Sequence, residues 1–253
     1  KNQMRKFGLI GFPLKHSFSK KYFTDKFARE GLEDCQYEMF EIEDIGKIRQ
    51  VLNENPDLVG LNVTIPYKEQ VIPYLDDLEP GCQSIGAVNT IKIADGKLVG
   101  FNTDYIGFKQ SLSGWLPTDT IKALVLGSGG ASRAVKQALQ DLGISFLTVT
   151  RSKSSNMAMV KYADLANTPS ILDEHHLIIN TTPLGTFPNT EEMPEIPTQY
   201  LSSMHKVYDL VYNPENTLLM RKVGEKGGLV KNGLEMLHLQ AEASWEIWNR
   251  SGL

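Results

Sequence analysis

The chain opens on a short run of apolar residues and keeps returning to such runs. In "FGLIGF" (Phe7–Phe12) and again in "DLVGLNVT" (Asp57–Thr64), apolar side chains alternate with small or polar ones or fill the run, the pattern of a strand with one or both faces buried. Between such runs the apolar spacing lengthens to that of a helix. A helix is expected from about Ser19, with Tyr22, Phe23 and Phe27 on one face and Gly31 as its stop. A second covers "DIGKIRQVL", where Ile45, Ile48 and Leu52 share a face. "CQYEMFEI" supplies another strand. Two more, in "GAVNTIKIADGKLVGFNTD", are joined by Asp95-Gly96, a dipeptide that favours a tight hairpin turn. Beyond that hairpin, Ile106 and Phe108 mark a short helix.

The character changes after "GWLPTDT". Here "IKALVLGSGGASRAVKQALQDLG" reads as strand, glycine turn and helix, closed by Gly143, and "SFLTVT", "HLIIN" and "KVYDLVY" are further strands. Strands alternating with helices predict an α/β fold with largely parallel sheets. We expect a domain boundary near Asp104, with Leu112 to Thr120 as a connecting segment. The last helix, from Gly233 on, places Leu234, Leu237, Ala241, Trp245 and Trp248 on one stripe. A stripe this heavy needs a large partner surface. If it packs back on the first domain, that domain is discontinuous.

Composition narrows the classes without choosing one. Apolar residues make up 41% of the 253 and charged residues 22%, as in soluble globular proteins. The formal charge of −4 gives no basis for a nucleic-acid partner, which requires clustered Lys and Arg. No apolar run is long enough to span a bilayer, and "KNQMRKFGLIGFPLKHS" lacks the apolar core of a signal peptide. Cys35 and Cys82 have neither metal-ligand nor CxxC spacing and read as thiols in a reducing compartment, so a cytoplasmic protein is expected. His175, His176, His205 and His238 show no metal spacing, and no metal is expected.

Candidate chemistry begins with "LVLGSGGAS". It follows an apolar strand and opens a helix, where Gly127 and Gly129 permit close approach of a pyrophosphate to backbone amides. Ser132 stands where the strict fingerprint has its third glycine, and the same turn can be a simple strand-to-helix connection. The next strand ends in "TVTRSKS". Arg151 and Lys153 replace the acid that binds a ribose 2′-hydroxyl, which favours a 2′-phosphate and hence NADP; a solvated basic loop is the plain alternative. Asn180 and Thr181 stand at the carboxyl end of another strand, where open α/β sheets bind ligands. In the first half, Ser17 and Ser19 lie between a strand and a helix N-terminus, placed to donate to an anion or to cap the helix. His16 beside them orders the turn. In "GLNVTIPYKEQV", Asn62 and Thr64 share one face of a strand, and Pro66 turns the chain so that Lys68 reaches the same rim.

Taken together, "GFPLKHSFS", "GLNVTIPYK", "GAVNT", "GFNTD", "GSGGASRA", "INTTPLG", "YDLVYNP" and "GLEMLHLQA" resemble the shikimate dehydrogenase family, in the family's order and over nearly the whole chain. The resemblance implies two domains. An N-terminal α/β substrate domain with a mixed sheet would comprise residues 1–103 plus about 233–253, and a Rossmann-like NADP domain about 104–232. It implies reversible NADPH-dependent reduction of 3-dehydroshikimate to shikimate, on the way to chorismate and the aromatic amino acids. Lys68 is then the acid/base group and Asp104 its partner. Ser17 and Ser19 hold the substrate carboxylate, while Asn62, Thr64, Lys68, Asn89 and Asp104 surround the ring hydroxyls. Tyr212 and Gln240 close the pocket. The cofactor falls to Gly127, Ser128, Gly129, Gly130, Ala131, Thr150, Arg151, Ser152, Lys153, Asn180 and Thr181, with Gly233 and Met236 near the nicotinamide. The family often has Asn where Thr150 stands, and Glu235 and His238 depart from its smaller or more apolar residues. A homodimer is compatible with the sequence. Two alternatives stay open: a quinate/shikimate dehydrogenase with broader substrate or NAD use, and a non-catalytic sensor of NADP or a shikimate-like ligand.

Overall fold

The computed structural model describes residues 3–15, 17–117, 120–152 and 159–252; His16 and Lys153 lie outside the described residues. The chain divides into two units, one of Lys1–Thr103 with Gln240–Leu253 and one of Asp104–Leu239.

The first unit holds six strands, β1 (Arg5–Gly11), β2 (Cys35–Glu41), β3 (Leu58–Val63), β4 (Asp77–Leu78), β5 (Thr90–Ala94) and β6 (Lys97–Phe101), in the order β2-β1-β3-β5-β6-β4. The sheet is mixed: β1 runs parallel to β2 and β3, whereas β5 is antiparallel to both of its neighbours, β3 and β6. This is the mixed sheet that the resemblance implies; the largely parallel sheet expected from strand–helix alternation does not hold for β5, and the two-residue turn at Asp95-Gly96 brings β6 back along it. Both turn residues have positive φ, 53° and 73°, as that hairpin requires. Helices α1 (Phe18–Arg29), α2 (Ile48–Glu54) and α3 (Pro80–Ile85) complete the contiguous part. Strand alternation sorts the core into two layers. Ile10, Leu61 and Ile91 join Ile48 and Val51 on one face, while Phe7 and Leu9 join Phe23, Phe27, Ala241 and Trp248 on the other. Gly60 makes room for this second layer: a Cβ there would stand 2.4 Å from the Trp248 indole nitrogen, which donates to the Ile91 carbonyl (3.0 Å).

The second unit is all-parallel. It is entered through α4 (Thr103–Trp115) and comprises β7 (Ala123–Leu126), α5 (Gly130–Asp141), β8 (Phe146–Thr150), β9 (Met159–Lys161), α6 (Tyr162–Asn167), α7 (Ser170–Glu174), β10 (Leu177–Asn180), β11 (Lys206–Asp209), α8 (Leu218–Glu225) and β12 (Leu229–Lys231). The sheet order is β12-β11-β10-β7-β8-β9, with every pairing parallel. Leu124, Leu126, Ile178 and Val207 feed one face, and Ala123, Val125, Leu177, Ile179 and Tyr208 the other. The long C-terminal helix, α9 (Leu234–Asn249), begins in this unit and ends in the first.

Expectations about two helices and one strand change. The helix after "FNTD" is not short, and Leu112 is no linker residue: it lies fully buried within α4, packed in the cluster with Phe108, Val125 and Tyr208. On α9 the buried surface is broader than the predicted stripe. Leu234 is exposed and Leu237 half-buried, while Met236, Gln240, Ser244 and Ile247 are buried. The strand expected over "KVYDLVY" stops at Asp209.

At the end of the second unit's sheet where its strands begin, His205 is almost wholly buried. Its Nδ1 accepts from the Ser202 N–H (3.0 Å) and its Nε2 donates to the Leu172 carbonyl (2.8 Å), which fixes the tautomer. Burial holds its pKa below the ordinary 6.5. The unfolded chain then takes up a proton that the folded chain refuses, so this contribution to stability is present above about 6.5 and declines as pH falls through that value. Nitrogen-15 NMR at pH 6.5 should find His205 mostly neutral with the proton on Nε2; a mostly protonated ring at that pH contradicts the assignment.

Candidate functional site

Each unit has a place where successive connections leave its sheet in opposite directions, and in open α/β sheets ligands bind outside the carboxyl ends of strands at such a switch point. In the first unit it falls between β1 and β3. In the second it falls between β7 and β10.

At the first switch point, the segments after β1 and β3 are stitched together: the Thr64 N–H donates to the Ile10 carbonyl (2.9 Å) and the Phe12 N–H to that of Ile65 (3.1 Å). Gly11 permits this closeness, since a Cβ there would lie 2.5 Å from the Thr64 methyl. Beyond β1, Ser17 is the N-cap of α1, accepting from the Lys20 N–H (3.1 Å); the cap is Ser17 and not Ser19, which sits in the first turn. Both serines are half-buried. Beyond β3, Thr64 and Lys68 are half-buried, and the Lys68 carbonyl is held by the Val88 N–H (2.7 Å). Asp104 is buried in the first turn of α4, where the helix dipole favours a carboxylate.

Asn62 and Asn89 are sunk deeper than sequence reasoning implies. Asn62 accepts from the Tyr37 hydroxyl (2.8 Å) and donates to the Ser244 hydroxyl (3.0 Å). Asn89 donates to the Thr103 hydroxyl (2.8 Å) and accepts from the Thr103 N–H (2.6 Å), fixing the residue before Asp104. Thr90 joins Ser244 (2.8 Å), whose hydroxyl also donates to the Gln240 carbonyl (3.1 Å). Tyr37, Thr90, Thr103 and Ser244 were missed as supporting residues. Thr90 and Thr103 lie inside the quoted motifs "GAVNT" and "GFNTD", but nothing in one sequence shows that a serine 141 residues beyond Thr103 meets them both.

At the second switch point, Gly127 has φ 109°, which other residues rarely adopt, and a Cβ on it would sit 2.6 Å from the Thr181 hydroxyl oxygen. Thr181 is locked there, donating through both N–H (2.9 Å) and hydroxyl (2.6 Å) to the Leu126 carbonyl. Gly129 is the extended N-cap of α5, with open space where its Cβ would be, and Gly130 and Ala131 begin the helix. Ser128 is exposed. Ser132 takes the third-glycine position by burying its hydroxyl against the Gly129 carbonyl (2.7 Å). At the end of β8, the Thr150 hydroxyl donates to the Ser152 carbonyl (2.7 Å), leaving Arg151 and Ser152 exposed. A dinucleotide fits these residues: open glycine turn, helix N-terminus without a side-chain cap, and a cation in place of the acid that a plain ribose calls for. Asn180 is wholly buried and bonded to Asp209 (3.0 Å). Tyr212 is exposed. Gly233 is pressed onto the backbone, a Cβ being only 2.0 Å from the Leu210 carbonyl oxygen, and Met236 is buried in the cluster with Tyr208. Among the described residues no helix is long and apolar enough to cross a membrane.

Fold and site together define a class: a two-domain α/β protein pairing a mixed-sheet unit with a Rossmann-like, dinucleotide-binding one. The family model for the shikimate dehydrogenase substrate binding domain matches residues 9–91. The NADP(+) shikimate dehydrogenase of Staphylococcus epidermidis is 37% identical over 250 residues, covering 96% of this chain and 91% of that one. Among solved structures, a chorismate mutase/shikimate 5-dehydrogenase fusion protein from Clostridium acetobutylicum aligns with a TM-score of 0.86 at 36% identity, over 100% of this chain and 93% of that one. The shikimate 5-dehydrogenase of Thermus thermophilus, solved in complex with NADP(H) and shikimate, aligns at 0.83 and 31% identity over 97% and 94%. The chain belongs to the shikimate dehydrogenase family.

Proposed function

We propose that this protein is an NADP-dependent shikimate dehydrogenase, an oxidoreductase acting on a CH–OH group that interconverts 3-dehydroshikimate and shikimate in aromatic amino acid biosynthesis. One observation carries the reading. A single chain holds a first switch point lined by Ser17, Ser19, Thr64 and Lys68 and a second built from a glycine turn with a basic strand end, along a length over which it is 37% identical to an NADP(+) shikimate dehydrogenase.

Bound NADPH supplies the hydride. The chain's own residues manage the rest. As the substrate's carbonyl becomes an alcohol, its oxygen gains negative charge and needs a proton. Lys68 donates that proton and takes it back in the reverse direction, with Asp104 as its carboxylate partner. Ser17 and Ser19 hold the substrate carboxylate. Thr64, Asn89, Asn62, Tyr212 and Gln240 serve the ring and its hydroxyls. Asn89 has one amide hydrogen beyond its bond to Thr103, so it can serve both its network and a ligand. Gly127, Ser128, Gly129, Gly130 and Ala131 receive the pyrophosphate. Arg151, flanked by Thr150 and Ser152 and with Lys153 beyond, binds the 2′-phosphate. Asn180, Thr181, Gly233 and Met236 serve the nicotinamide end. A biosynthetic reductase of this kind works in the cytoplasm, and assembly as a homodimer is checked by light scattering.

The deciding experiment is a steady-state assay of shikimate and quinate, each with NADP and with NAD. Shikimate with NADP should give the highest kcat/KM. Quinate with NAD exceeding it overturns the reading, and no turnover in any combination favours a sensor. Arg151→Ala should raise the KM for NADP at least about tenfold while leaving the KM for NAD within about twofold, because only NADP carries the 2′-phosphate. Equal losses with both nucleotides remove Arg151 from that role.

A further inference from the structure

Asp209 ends β11 with no exposed surface, and none of the roles above uses it. A buried carboxylate needs donors for its oxygens. Asp209 receives three, from three segments. Asn180 Nδ2 and the Val211 N–H, both at 3.0 Å, donate to Oδ1, and the Thr217 hydroxyl (2.7 Å) donates to Oδ2.

Each donor has a second engagement. The Asn180 side-chain oxygen accepts from the Thr182 N–H (3.0 Å) and hydroxyl (2.7 Å), which sets the turn whose Thr181 lies against Gly127. The Val211 carbonyl accepts from the Gly233 N–H (3.2 Å), and Val211 is the residue before Tyr212. The Thr217 hydroxyl oxygen caps α8 by accepting from the Met220 N–H (3.2 Å). One carboxylate thus fixes the turn after β10, the backbone leading to Tyr212 and the contact on which Gly233 rests. Burial raises its pKa to about 6, while its three donors pull the other way. An amide of the same shape would avoid the cost of burying charge, yet it could not accept all three bonds.

We infer that Asp209 is a positioning residue for the nicotinamide end of the bound dinucleotide, acting through Asn180 and Val211 without touching the ligand. The inference rests on the NADP-dependent reading above. Asp209→Asn keeps the size but turns one acceptor into a donor. Thr217→Val removes one arm to Asp209, together with the side-chain cap of α8, and leaves the arms to Asn180 and Val211. The probes are NADPH and 2′,5′-ADP, which has the 2′-phosphate and adenine but no nicotinamide.

In Asp209→Asn, we expect the Kd for 2′,5′-ADP to stay within about twofold of wild type, the Kd for NADPH to rise about fivefold or more, and kcat to fall about tenfold or more. Thr217→Val should lie between wild type and that variant. A folded Asp209→Asn protein with NADPH affinity and kcat within twofold of wild type overturns the inference. So does equal weakening of both nucleotides, the mark of a merely structural role. If Asp209→Asn does not fold, the ratio of the two Kd values in Thr217→Val decides: a rise supports the role and an unchanged ratio overturns it. If the wild type does not turn over shikimate with NADP, the functional reading fails, and the Kd ratio still decides the role of Asp209. A wild type that binds neither nucleotide overturns both.

Discussion

Lys68→Ala should lower kcat by about three orders of magnitude, the usual worth of a positioned acid or base, while the Kd for NADPH stays within about twofold. The separation follows from where Lys68 sits. Its backbone is fixed by the Val88 N–H, and the residue before it, Tyr67, is buried and donates its hydroxyl to the Ile42 carbonyl. Truncating the side chain therefore removes the terminal amino group without releasing the turn. The glycine turn belongs to the other unit and keeps all its contacts. Single-turnover reduction of 3-dehydroshikimate, measured beside NADPH binding, checks both halves of the expectation. A variant with near-normal turnover takes Lys68 out of the acid/base role.

Gly127→Ala should weaken NADPH binding by about two orders of magnitude, as expected when a binding group is displaced by about an ångström. Two effects act together. An alanine at φ 109° is strained, and its Cβ would stand 2.6 Å from the Thr181 oxygen and 3.0 Å from the Thr182 methyl. Thr181 cannot retreat without breaking its two bonds to the Leu126 carbonyl. The turn must therefore shift at the place proposed for the pyrophosphate. Isothermal titration with NADPH measures the loss, and shikimate binding, assigned to the first unit, should change little. Unaltered NADPH affinity would show that the glycine is there only for the strand-to-helix connection.

Local chemistry was legible in the sequence where it is self-sufficient. Asp95-Gly96 adopts the turn its residue types favour, and Gly31 and Gly143 stop their helices with φ of 66° and 71°. Long strands announce themselves by alternation, whereas β4, β9 and β12, of two or three residues, are too short to carry a period. The second half of α4 was hidden because Ser111, Ser113 and Gly114 are poor helix formers. Burial of Leu112 against Val125 and Tyr208 outweighs that preference, and no local rule contains those partners. The candidate site shows the same divide. The glycine turn, Arg151 and Lys68 are marked by type and position. Asp209 gave one signal, a charge inside the apolar run "VYDLVY", but its meaning lies in three donors scattered from Asn180 to Thr217.

The first unit borrows its last segment from the far end of the chain, and this sets an order of events during synthesis. When residue 103 has been made, Phe7 and Phe23 still lack Trp248, and Asn62 and Thr90 still lack the Ser244 hydroxyl. The second unit, contiguous from Asp104 to Leu239, has all its own residues before Ser244 and Trp248 are made. The part translated first is thus the part completed last, and a nascent chain carries an open aromatic face until the final helix emerges. Released early as a fragment, residues 1–103 would be a substrate for chaperones and proteases, and a peptide spanning residues 240–252, added in trans, is the minimal piece that could close them.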